Sequence, residues 1–214
     1  MNFETSKNLG GIGAILLFIS VFPYISTYTF GVLGLVGLIL LLIGMKGLAE
    51  HYREAGIFNN ALYGTITGIV GVVVFVAILI TALFGFLSNI LPNWNGDWTS
   101  IGQINPADIS TNIDLNTIGP FVAAILVAFV VLFVFVLVVA LLYRKSLSLL
   151  RDKTGVGMFG TAATLLLIGG VLTIIVIGLI LVWIAVLLVA IAFFQLRPTP
   201  PQTETLPPQN VTQI

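Results

Sequence analysis

The 214 residues are 58% hydrophobic and 7% charged, with no cysteine and a formal net charge of zero. A soluble domain carries about 25% charged residues to wet its surface; sixteen charged side chains cannot do that here, so lipid must be the solvent for most of the exterior. The missing cysteines exclude disulfides, thiolate catalysis and cysteine metal sites, and eight scattered bases leave no footprint for nucleic acid.

In chain order, the first predicted element covers residues 9–24. Lys7 ahead of an apolar stretch imitates a secretory signal, but Pro23, Tyr24 and Ile25 stand where small residues would be needed for cleavage. It is read as an uncleaved span ending at Pro23. A short uncharged connector leads to a second span at 30–45, so the two form an antiparallel hairpin. Lys46, Glu50, His51, Arg53 and Glu54 follow among good helix formers. They predict a helix running on into the headgroup region, with Gly56 as its C-terminal cap.

Residues 57–91 carry no charge. As one helix they would reach about 52 Å, too far for an upright crossing. Asn59, Asn60 and Tyr63 suit an interfacial first turn, which leaves 64–88 as the third span, with Gly64, Gly68 and Gly71 as a small-residue contact face. A loop at 89–117 holds Trp94, Trp98, Asp97, Asp108 and Asp114 and no base. The fourth span is predicted at 118–143, with Pro120 in its first turn, where a missing N–H costs little.

After the basic stretch from Arg144 to Lys153 come forty-one residues, 156–196, without one charge. That is about 60 Å of helix, or two bilayer cores. They should fold back as two spans, 157–176 and 178–196, turning near Gly169–Gly170 or Gly178. The proline-rich tail, 197–214, is expected to be disordered.

Lysine and arginine favour cytoplasmic loops. In a six-span map Lys7, Lys46, Arg53, Arg144, Lys145, Arg151, Lys153 and Arg197 all fall on one face, opposite the three loop aspartates. Both termini are therefore expected in the cytoplasm and the 89–117 loop outside the cell membrane.

Three segments resemble a known family. They are Ser6–Leu16 (SKNLGGIGAIL), Gly37–Leu62 (GLILLLIGMKGLAEHYREAGIFNNAL) and the closing AIAFFQL. They are similar to the archaeal membrane family catalogued as domain of unknown function 996. That resemblance implies an archaeal multi-pass protein and brings no activity, cofactor or catalytic residue with it. Separately, Gly37, Ile43 and Ala49 align with Gly178, Ile184 and Ala190 at one offset, so the first and last hairpins are candidates for a parallel repeat.

No ionisable residue falls inside a predicted span, which speaks against proton relays, ion coupling and voltage sensing. His51 beside Glu50 and Glu54 could begin a metal site, but no second histidine or cysteine exists to complete one. A polar helix with Glu50 and Arg53 paired at i,i+3 is the plainer reading. Arg144, Lys145, Arg151 and Lys153 could hold anionic lipid, though such bases ordinarily flank spans. Asp97, Asp108 and Asp114 match no calcium loop. Gly10, Gly11 and Gly13 lack the context of a nucleotide fingerprint and read as packing glycines. Asn210 begins a sequon that a cytoplasmic tail would leave unmodified. Span hydroxyls at Ser20, Thr65, Thr67, Thr81, Thr161, Thr164 and Thr173 are expected to join helices.

The expectation is an all-α, polytopic transmembrane bundle of six spans over residues 1–196. It has no catalytic, cofactor or metal residues and is not an enzyme. Its partners would be the lipid bilayer and other membrane proteins or a second copy, in an accessory role. The alternative is a passive channel or facilitator for a small neutral solute.

Overall fold

The computed structural model describes residues 2–22, 31–91, 96, 114–175 and 177–198. Among these the chain is wholly helical: α1 (Phe3–Ser20), α2 (Val32–His51), α3 (Ala55–Ile90), α4 (Leu115–Thr154), α5 (Gly157–Leu172) and α6 (Ile177–Gln195). A single 3-10 turn, Thr173–Ile175, follows α5. All but α1 are long and apolar enough to cross a membrane, α5 being counted with its turn.

Each helix packs on the next, and α6 returns to α1, so the six close into a ring. Glycine makes the close contacts. A β-carbon at Gly44 would lie 2.5 Å from the backbone nitrogen of Gly10, and one at Gly13 would strike the α2 backbone at Gly37 and Leu41. On α3, Gly64 faces the Tyr143 ring and Gly71 faces Phe135 of α4, with Gly68 opposite Val139, which is the small-residue face expected from the spacing. The apolar stretch after Lys153 does fold back. Gly169 and Gly178 meet across the turn, where a side chain on either would strike the backbone of the other helix. Farther along, Phe159 meets Phe193 edge-on at 5.4 Å.

Several helix ends differ from expectation, α1 covering 3–20 and not 9–24 and α4 running on to Thr154, and two of the differences have a visible cause. The left-handed residue that closes α2 is Arg53, directly after the cap Tyr52, and not Gly56. The Glu54 amide donates to Ala49 O at 2.9 Å and the Arg53 amide to Glu50 O at 3.3 Å. These are the paired bonds of a Schellman motif, which requires a left-handed residue after the cap, and Arg53 supplies it at φ 51°. Gly56 is left inside α3. The second difference lies at α4, where Asp114 accepts from the Thr117 amide at 2.8 Å and so starts the helix three residues before the predicted span. Pro120 thereby falls in the second turn, where its missing N–H removes one ladder bond.

The packed core sits at one end. Phe3, Met45, Leu48, Ile57, Leu150, Phe159 and Phe193 are all buried there. Lys7, Lys46, Arg53, Arg151, Lys153 and Arg197 occupy the same end. Arg144 and Lys145 are exposed seven and six residues before Arg151 on α4, about 10 Å up the helix.

Packing thins toward the other end. Gly170 of α5 abuts Ala140, and Gly71 of α3 abuts Phe135. Beyond that level α3 and α4 run on for about 28 Å, with Phe75 meeting Phe129 and Phe86 stacked on Phe121. Between Gly71 and Ile90 no residue of α3 is buried. Between Leu115 and Ala140 of α4 only Ala128 is.

Candidate functional site

Five of the six helices enclose a partly open cavity of about 210 Å³ above the packed core. Leu17 of α1, Met45 of α2, Val139 and Tyr143 of α4, Gly170 of α5 and Val186 of α6 contribute to its wall. The wall is aliphatic but for the phenol of Tyr143. That hydroxyl is engaged elsewhere, 2.7 Å from the Thr65 hydroxyl on α3, while Thr65 also donates to Ala61 O at 3.0 Å. No ionisable carboxylate, amine or imidazole lines the cavity. Because Tyr143 shares it with Leu166 and Val182, the neighbouring Arg144 and Lys145 lie level with the middle stretches of α5 and α6. Counting from span ends alone puts them in the headgroup region.

A shallower surface depression of about 280 Å³ lies at the charged end, lined by Lys46, Glu50, Arg53, Phe58 and Asn59 among others. His51 stands nearby in an aromatic group, its ring 4.9 Å from Phe3 and 5.0 Å from Tyr52. An ion pair in this region runs from Glu54 to Lys153 at 3.3 Å. It ties the α2–α3 corner to the end of α4. Arg151 pairs with Asp152 at 2.8 Å, and Lys7 with Glu4 at 3.7 Å. Among the described residues no three histidine, aspartate or glutamate side chains gather as metal ligands.

Asp114 is an N-cap. The Thr117 hydroxyl, then the Thr117 amide, holds its carboxyl below the ordinary 3.8, because both bonds favour the charged form. Asp97, Asp108, Trp94, Trp98 and Asn210 lie outside the described residues.

The hydroxyls do less between helices than expected. Ser20 donates to Leu17 O, Thr81 to Ala77 O, Thr164 to Gly160 O and Thr173 to Gly169 O, each within its own helical stretch. Among the described residues, three unforeseen side chains make bonds that do cross. Tyr143 meets Thr65, Ser146 donates to Ile57 O at 2.5 Å, and the Trp183 indole donates to Phe18 O at 3.0 Å. The Trp183 ring stacks on Phe18 at 4.4 Å. Ser146 had a sequence signal, a small hydroxyl directly after the Arg144–Lys145 pair and turned away from Arg144 on the helix. Trp183 had one too, as the lone tryptophan in an aliphatic run.

Residues 33–187 match the family described as Protein of unknown function (DUF996). The chain belongs to the DUF996 family. An uncharacterised protein of Methanocaldococcus jannaschii is 24% identical over 196 residues, covering 92% of this chain and 94% of its own. No solved structure matches. The DUF996 match takes in the Gly37–Leu62 stretch on which the resemblance rested, whereas Ser6–Leu16 and AIAFFQL fall beyond its ends. It includes all of α3, α4 and α5, most of α2, and the first eleven residues of α6, among them Val182 and Val186 of the cavity wall.

Proposed function

We propose that this DUF996 chain is a non-catalytic component of the cell membrane that crosses it six times, with both termini and the basic end in the cytoplasm. It packs there with another membrane protein or a second copy. The observation that carries this reading is the overhang of α3 and α4. A bilayer core of about 30 Å can cover the six-helix block, or the further 28 Å or so of α3–α4, but not both. The surplus is bare and apolar, with Val73, Val76, Val127, Phe129 and Val130 all exposed. Apolar surface beyond the reach of lipid needs protein to cover it.

Orientation is supported by six bases gathered at one end. Arg144 and Lys145 stand close enough for their long stems to snorkel toward it. The crossing by α1 is supported by its close antiparallel contact with α2, despite the polar first turns from Glu4 to Asn8. A parallel repeat of the α1–α2 and α5–α6 hairpins is supported by their glycine-to-backbone contacts.

The test exploits the absence of cysteine. Single thiols placed at Val76 or Val130 should cross-link in native membranes, to a second copy or to a partner that then co-purifies. Thiols at Val36 and Ile180, on the block, should not. Detergent extracts holding only monomer, with no cross-link from either overhang position, would sink the reading. The channel alternative has less support, since the cavity offers a polar solute no hydrogen-bonding wall and the core closes its charged end.

A further inference from the structure

We propose that the central cavity is a binding site for a segment of an aliphatic hydrocarbon chain, supplied by a membrane amphiphile. Four observations converge on that ligand class. At about 210 Å³ the space is larger than an apolar cavity of about 150 Å³ that stays dry and takes up benzene, so it holds part of a chain and not a whole lipid. Water is a poor occupant. A buried water needs two to four polar partners, and the one hydroxyl in the wall, that of Tyr143, is committed to Thr65. The lining is aliphatic, from Leu17, Leu41, Val136, Val139 and Val186, and so fits a flexible methylene chain better than a flat ring. The cavity is also partly open, while the core beneath it, around Leu48, Leu150 and Phe193, is shut. A chain end can therefore slide in from the lipid around the bundle and stop on a floor. An empty cavity of this size would leave every wall atom without dispersion partners on one side.

The site predicts saturable binding, which ordinary lipid contact does not give. The full chain in proteoliposomes is photolabelled with a fatty acid carrying a diazirine in mid-chain, and the modified peptides are located by mass spectrometry. Labelling of segments 136–147 and 182–189 should saturate and fall at least tenfold under excess unlabelled palmitate. Labelling of lipid-facing positions on the six-helix block such as Val36 and Ile180 should rise linearly and resist competition. Val139→Phe or Val186→Phe, which fills the space, should remove the saturable component while the midpoint of thermal unfolding holds or rises. Non-saturable labelling of the wall segments in the unaltered chain would overturn the proposal. So would unchanged saturable labelling in a filled variant that still unfolds cooperatively. The competition arm needs no variant, so a misfolded substitution does not spare the idea.

Discussion

At Arg53 the chain holds a bulky side chain at φ 51°, where an L-residue costs about 1–2 kcal/mol and glycine almost nothing. Arg53→Gly should therefore raise stability by about 1 kcal/mol, read from unfolding in mixed micelles. Arg53→Ala should not, because it keeps the strained β-carbon. Equal midpoints for the two variants would remove the argument. Asp114 yields a prediction in pH. Its folded pKa is lowered, so its contribution to holding the first turn of α4 is fully present above 3.8. It is lost as pH falls through the lower folded value. Amide exchange at Thr117 and Ile118 should keep its protection between pH 7 and pH 5 and lose it below about pH 4, given the ordinary carboxylate range. Asp114→Asn, which keeps an acceptor and cannot titrate, should flatten that dependence. Neither residue's role was legible in the sequence. Arginine is an improbable left-handed cap when Gly56 stands three positions on. Asp114 sat among turn formers that gave no reason to prefer it as the place where α4 begins.

Helix positions were legible because a run of apolar residues without charge has one physical use, burial in hydrocarbon. The break in the 156–196 stretch was legible from length alone. Helix ends were not, since α2 and α4 continue through charged residues that favour helix as much as their apolar neighbours do. The glycines on α3 permit a graded test of which contacts the fold needs. Gly71 abuts the Phe135 ring, with a β-carbon 2.7 Å from Cβ of that residue, whereas one at Gly68 would sit 3.6 Å from Val139, an ordinary contact. Gly71→Val should cost about 1–3 kcal/mol through overpacking. Gly68→Ala should be neutral or favourable, since alanine is the better helix former by about 1 kcal/mol. Denaturant midpoints in the same order for both would mean that α3 and α4 are not held face to face at Gly71.

Ring closure belongs to the whole molecule and left no trace in the sequence. Nothing in α1 or α6 alone says that Gly10 receives Phe193 or that Phe18 receives Trp183, because such pairings join residues 165 or more positions apart in a restricted alphabet. Charge is different, because it acts at the scale of the bilayer and needs no partner. Six bases share the end built from the start of α1, the end of α2, the α4–α5 corner and the end of α6, and Arg144 and Lys145 stand about 10 Å above it. Translocating any of them would put a cation through hydrocarbon at a cost of about 2.5–3.5 kcal/mol each on insertion scales. The basic end should therefore stay where synthesis leaves it. A single thiol at Lys153 should resist a membrane-impermeant maleimide added to whole cells and react once the cells are opened. A thiol at Gly96, on the acidic side, should react in both. The reverse pattern would put the basic end outside. Reaction of both thiols in intact cells would put residues 96 and 153 on the same side, and α4, the helix between them, would then have to lie along the membrane and not through it.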